Sequence, residues 1–168
     1  MEVKKIYFDM DGVLADFDLG VVELCGLPRP SQGNDTKEKS DLMWKRIREC
    51  RHFYWQLKPM EGAIELFNAV YAAYGDRCEI LTGVPKERRG IPEAGQDKIN
   101  WARKYLNQEV VVNIVLREDK IHFCHGPEYI LIDDYTKNGV EWQNKGGTVI
   151  NHTSAAETLD SLKALEIL

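Results

Sequence analysis

Two aspartates stand two residues apart where an apolar run ends: Ile6-Tyr7-Phe8-Asp9-Met10-Asp11-Gly12-Val13-Leu14. Carboxylates this close repel one another unless a cation, a proton or a reaction keeps them there. A short apolar run ending in acids and a glycine predicts a buried parallel strand. Such a strand delivers Asp9 and Asp11 to the C-terminal edge of its sheet, where open α/β sheets bind ligands. Gly12 predicts that the chain is already turning at Asp11, so the two side chains need not share a face. Taken alone, the same pattern also describes an ordinary strand-end turn with solvated acids.

Two further strand-like runs end in polar residues. Cys78-Glu79-Ile80-Leu81-Thr82-Gly83 ends in a hydroxyl and a glycine, and Tyr129-Ile130-Leu131-Ile132-Asp133-Asp134 ends in a second acid pair. Lys120 lies between them. Singly, these read as a strand-to-turn transition, a turn and a solvated lysine. In this order, over residues 9 to 134, they resemble the haloacid dehalogenase (HAD) superfamily of phosphatases. The stretch from Asp9 through Leu14-Ala15-Asp16-Phe17 resembles the 5′(3′)-deoxyribonucleotidase branch. So does Phe53-Tyr54-Trp55-Gln56-Leu57-Lys58-Pro59-Met60-Glu61-Gly62-Ala63, an aromatic cluster leading into a core helix. The chain departs from that branch at Gly83-Val84-Pro85, where Ser-Pro is commoner, and in a longer gap between Lys120 and Asp133.

The resemblance implies an α/β fold: a three-layer, Rossmann-like parallel sheet with a small helical cap inserted after the first strand. A single domain over 1–168, with the cap at about 18–58, is expected. The implied reaction is hydrolysis of a phosphomonoester through an aspartyl-phosphate. Such a transfer needs a nucleophile, charge neutralisation and a protonated leaving group. Asp9 would be the nucleophile, and Asp11 would protonate the leaving alkoxide and then activate water. A dianionic ester is repelled by bare carboxylates, and Mg²⁺, which takes oxygen ligands, would mediate. By resemblance its ligands are Asp9, the Asp11 backbone carbonyl and Asp133, with Asp134 supporting them. Thr82 and the Gly83 amide would hold phosphate oxygens, and Lys120 would supply positive charge.

Two aromatic groups flank the ends of the expected cap, Phe17 at its start and Phe53-Tyr54-Trp55 near its close. They read as cap packing or as a wall on which a nucleotide base stacks, with Phe17 and Trp55 as the substrate-facing pair. Lys86, Arg88 and Arg89 read as a solvated loop in preference to a phosphate clamp. His122-Phe123-Cys124-His125 lacks the fourth ligand and the spacing of a zinc site and reads as a loop without metal.

The elements that must position these groups follow from periodicity and punctuation. Residues 27–35, rich in Pro, Gly and Asn, predict a loop, and Thr36 or Ser40 caps a helix running through Met43, Trp44 and Ile47. Residues 62–74 carry apolar positions at helical spacing, ended by Gly75-Asp76. Residues 97–106 predict a helix, 110–116 and 147–151 strands. Thr153 or Ser154 caps a last helix through Leu159, Leu162 and Leu165. Strands alternating with helices give a parallel sheet with right-handed crossovers.

The 168 residues suit one core, and 27 acidic against 22 basic residues give a net charge of −5. That balance disfavours a nucleic-acid-coating surface and a polymer substrate. No apolar run approaches the roughly 20 residues of a membrane span, and the N-terminus lacks a signal-peptide pattern. Cys25, Cys50, Cys78 and Cys124 show no C-x-x-C spacing and read as reduced thiols of a cytoplasmic protein. The expectation is a Mg²⁺-dependent phosphatase of a small substrate, foremost a nucleoside or deoxynucleoside monophosphate. The alternatives are a phosphatase of a sugar or other small metabolite, a nucleic-acid-end 3′-phosphatase, and a non-catalytic binding protein on the same fold.

Overall fold

Five parallel strands in the order β3-β2-β1-β4-β5 form the centre of the molecule. They are β1 (Lys5–Phe8), β2 (Cys78–Gly83), β3 (Val112–Val115), β4 (Tyr129–Asp133) and β5 (Thr148–Asn151). The structure, a computed structural model, describes residues 1–30 and 36–168. The expected loop over 27–35 therefore lies partly outside the described residues.

The sheet has two covered faces, and strand alternation sorts the side chains between them. Ile6, Phe8, Ile80, Ile130 and Ile132 point into the larger core, while Tyr7, Leu81 and Leu131 join Cys124 and Trp142 in a smaller one. Helices α3 (Ala63–Tyr74), α4 (Ala94–Tyr105) and α6 (Ala155–Ala164) bring residues to the larger core. The smaller face is covered by a 3₁₀ segment at Arg117–Phe123 and by α5 (Thr136–Asn144). The sheet order reverses at β1: the chain runs outward through β2 and β3 on one side and through β4 and β5 on the other. The crevice above β1 and β4 is thus the topological switch point where ligands of such sheets bind.

Between β1 and α3 the chain leaves the sheet to form α1 (Phe17–Cys25), α2 (Lys37–Glu49) and a 3₁₀ turn at Tyr54–Gln56. Asp16 caps α1 by accepting from the Leu19 amide at 3.1 Å, and Thr36 caps α2 by accepting from the Lys39 amide at 3.2 Å. The outgoing and returning chains are laced together. The Asp16 amide donates to Lys58 O at 2.8 Å and the Met60 amide donates to Leu14 O at 2.8 Å. The insertion is therefore held at its neck by backbone hydrogen bonds.

Ser154 caps α6, its hydroxyl accepting from the Glu157 amide. Helix α4 begins three residues earlier than periodicity predicted, and β3 is shorter than its apolar run. Helix α5 was not expected. Its sequence, TKNGVEWQN, has two apolar residues, and one of them, Val140, is exposed. Gly139 lets it dock: a Cβ there would lie 2.9 Å from Asn151 Oδ1 and 3.1 Å from Val149 Cγ1.

Candidate functional site

Asp9 and Asp133 sit on the small-core face of the sheet, following Tyr7 and Leu131 in the alternation. The 3₁₀ segment covering that face supplies Lys120. Its ammonium donates to Asp9 Oδ1 at 2.7 Å and to Asp133 Oδ2 at 3.1 Å. All three side chains are buried. Burial alone would discharge the lysine, but Asp9 and Asp133 outweigh it and hold its pKa above the ordinary value.

Thr82 lies on the opposite face, following Ile80, and α4 covers it. Lys98, on that helix, is only 1% exposed. Its ammonium donates to Thr82 Oγ1 at 2.8 Å, Gly83 O at 2.8 Å and Asp11 Oδ2 at 2.9 Å. Asp9 and Asp11 thus each have their own buried lysine, one from each side of the sheet. Lys98 was missed at the sequence level. Its signal was there: Ala94, Lys98, Trp101, Ala102 and Tyr105 mark one helical stripe, with a lysine inside an otherwise apolar face.

Asp133 and Asp134 differ sharply. Both oxygens of Asp133 are engaged: Oδ1 accepts from the Tyr135 amide at 2.9 Å, and Oδ2 from Asn138 Nδ2 at 3.0 Å as well as from Lys120. Asp134 faces the open side and hydrogen-bonds Asp9. Burial, then the charges of Asp9 and Asp133, push the Asp134 carboxyl up to about 8. Burial and Asp9, opposed by Lys120, push Asp133 up to about 6. Asp11 is raised chiefly by burial, against the pull of Lys98. Gly12, at φ +82°, keeps the turn open to this acid, since a Cβ there would fall 2.1 Å from Asp134 Oδ2.

The donor set suits a hard cation. Asp9, Asp133 and Asp134 each offer an oxygen, and these lie within 4.8 Å of one another. Four carboxyl groups crowd two ammonium groups across the site, and that crowding of acids raises Asp134 in particular. An all-oxygen donor set of this kind fits Mg²⁺.

Above the carboxylates opens a cleft of about 880 Å³. Asp9, Asp11, Gly83, Lys120 and Asp134 form its floor, and Phe17, Trp44 and Tyr54 its wall on the insertion side. Phe17 stacks on Tyr54 at 6.2 Å and 30°, and approaches Trp44 at 6.3 Å. Trp55 does not line the cleft. It is 36% exposed, with Lys104 Nζ 4.8 Å from its ring centroid. Of the expected aromatic pair, the structure therefore brings Phe17 to the cleft, and Tyr54 and Trp44 stand where Trp55 was expected. Lys86, Arg88 and Arg89, expected as a solvated loop, line the cleft as well. Arg89 pairs with Asp41 at 2.8 Å and lies 5.9 Å over Trp44, tying this rim to α2. Thr82 lies beneath the floor, reached through Lys98. No described helix is long and apolar enough to cross a membrane.

No family model matches the chain. A Vibrio phage KVP40 protein named "Putative 5′(3′)-deoxyribonucleotidase" is 33% identical over 135 residues, covering 80% of this chain and 68% of that protein. The human mitochondrial 5′(3′)-deoxyribonucleotidase is 27% identical over 132 residues, covering 69% of this chain and 57% of the human protein. Among solved structures, a HAD family hydrolase from Deinococcus radiodurans R1 with bound phosphate and sodium superposes with a TM-score of 0.55. It is 16% identical, covering 92% of this chain and 86% of the other. The L-2-haloacid dehalogenase of Xanthobacter autotrophicus gives a TM-score of 0.50 at 12% identity, covering 88% and 76%. The structural likenesses show the fold alone, and the sequence likeness to the phage protein narrows it. The chain belongs to the 5′(3′)-deoxyribonucleotidase family of HAD-fold phosphatases.

Proposed function

We propose that this protein hydrolyses the phosphomonoester of a nucleoside or deoxynucleoside monophosphate, with α1, α2 and the following 3₁₀ turn acting as a cap over the site. The observation that carries the reading is the juxtaposition of a lysine-held Asp9 with an aromatic wall above it. A phosphate at Asp9 leaves a flat base within reach of Phe17, Trp44 and Tyr54.

In this mechanism a carboxylate oxygen of Asp9 attacks phosphorus, and the P–O bond to the leaving group breaks as Asp11 gives that oxygen its proton. Asp11, now ionised, takes a proton from water, which attacks phosphorus. Inorganic phosphate departs and Asp9 is restored. Lys120 holds the nucleophile against Asp133 and offsets its charge. The Gly83 amide, at the end of β2, is placed to donate to phosphate oxygens. Asp9, Asp134 and the Asp11 backbone carbonyl would hold Mg²⁺, with Asp133 orienting Lys120 and Asn138 behind them. The ion would neutralise the ester's charge as it nears the acids.

The test is a panel of phosphomonoesters with Mg²⁺. Nucleoside monophosphates should exceed sugar phosphates in kcat/KM, since stacking on an aromatic ring is worth roughly 1–3 kcal/mol. Phe17→Ala and Trp44→Ala should remove most of that preference while sparing a small aryl phosphate, and Trp55→Ala should leave it. If sugar phosphates win, or neither wall substitution alters the ranking, the nucleotide reading fails. The cationic rim of Lys86, Arg88 and Lys137 supports a second reading, a small metabolite carrying another anionic group beside its ester.

A further inference from the structure

We infer that Lys98 is a positioning residue for the acid–base work of Asp11, an inference that rests on the phosphatase reading above. An ammonium group has three N–H donors and no acceptor. All three donors of Lys98 have a partner at hydrogen-bond distance: Asp11 Oδ2, Thr82 Oγ1 and Gly83 O. The ring of Tyr54 lies 4.7 Å from the same nitrogen, and the side chain is 1% exposed. No donor and no open side remain for a phosphate oxygen. Lys98 therefore acts through its partners.

Those partners are unequal. Thr82 and Gly83 belong to β2, fixed in the sheet between β1 and β3. Asp11 belongs to the turn after β1, beside Gly12, and has no other side-chain hydrogen-bond partner among the described residues. The two β2 oxygens fix the ammonium, and the ammonium in turn fixes one oxygen of Asp11. The other oxygen, Oδ1, is buried without a hydrogen-bond partner, the only such side-chain atom among the described residues. A buried polar atom left unpaired is costly, and such atoms are rare unless a task keeps them. Anchoring Oδ2 fixes the direction of the Asp11 carboxyl at the floor of the cleft that it lines. Tyr54 stacks on Phe17, so the lysine also joins the acid to the wall of the cleft.

A lysine acting through Asp11 matters only where the leaving group needs a proton. Lys98→Met keeps the length of the stem and removes the ammonium. On a deoxynucleoside monophosphate, kcat should fall about 100-fold with KM little changed, the scale of loss from a misplaced catalytic group. On 4-nitrophenyl phosphate, whose leaving group departs as a stable anion, the loss should be a few fold at most. In an Asp11→Asn background, Lys98→Met should cost nothing further on the nucleotide, since residues acting as one unit are not additive. Equal losses on both esters, or full additivity in the double variant, would overturn the assignment and make Lys98 a structural or phosphate-charge residue. Lys98→Gln, with a neutral donor for one of the acceptors, provides the same comparison if Lys98→Met does not fold. Wild-type protein inactive on both esters with Mg²⁺ would instead overturn the phosphatase reading.

Discussion

Asp9 and Asp134 are the residues where charge, geometry and chemistry meet most closely. Asp9→Asn keeps size and shape but leaves an amide that cannot form the acyl-phosphate. Turnover should fall by at least about 10³-fold while circular dichroism and Tm stay near wild type. Near-normal activity in the folded variant would remove Asp9 as nucleophile. The adjacent acids should separate cleanly. Asp134→Asn should raise the Mg²⁺ concentration needed for half-maximal activity by about tenfold or more with little loss of stability. Asp133→Ala strips a partner from buried Lys120 and from Asn138, and should cost about 3 kcal/mol in a denaturant titration. The opposite pattern would exchange the roles of the two aspartates.

At the scale of elements, the site depends on how the insertion is fastened to α4. Trp101 Nε1 donates to Leu57 O at 2.8 Å in a fully buried contact, and His52 Nδ1 lies 2.9 Å from buried Asp97 Oδ1. Both contacts fall on the segment that carries Tyr54 between them. Trp101→Phe keeps the aromatic packing but orphans the Leu57 carbonyl, at about 1–3 kcal/mol. Tm should drop, and KM for a nucleotide should rise more than KM for a small aryl phosphate, because the wall and not the floor is loosened. Equal changes in both KM values would mean that the fastening does not govern the wall. Helix α1 has its own close approach: a Cβ on Gly20 would stand 2.3 Å from Leu57 Cδ2, so the same segment is wedged from the other side.

For the whole molecule, the crowded acids make folding sensitive to pH. The carboxyl of Asp134 titrates near 8 in the folded chain, against about 3.9 for a free aspartate. A folded-state pKa raised above the unfolded value means that the native protein binds more protons than the unfolded chain across that interval. Stability from this group is therefore full below about pH 4 and is lost as pH rises through 8. Other carboxylates unfold proteins in strong acid, so the useful window is pH 5 to 8. In metal-free buffer Tm should decline across it, and saturating Mg²⁺ should raise Tm more at pH 8 than at pH 5. A Mg²⁺ effect independent of pH, or larger at pH 5, would contradict the placement of the ion among these acids.

The sequence by itself determined the strands, their polar ends and the family resemblance. Apolar runs closing on Asp9, Thr82 and Asp133 are local signals, and a parallel sheet sends such ends to one edge whatever else the chain does. Lys120 followed from the resemblance. Other features depended on contacts that no local pattern contains. Lys98 meets Asp11 across 87 positions, and helical periodicity says which face a residue shares but not what lies opposite. Helix α5 has too few apolar residues to announce itself, and it forms because Gly139 and Trp142 fit against β5 and the smaller core. Tyr54 and Trp55 are neighbours on a 3₁₀ turn, where successive side chains diverge by about 120°. Which of the two faces the cleft is set by the docking of that turn on α4. Asp133 and Asp134 are likewise one peptide apart and differ only in direction. The first turns under the sheet toward Lys120 and Asn138, and the second turns out toward Asp9. Residue types and spacing carry composition and period, while the facing of a side chain belongs to the packed tertiary structure around it.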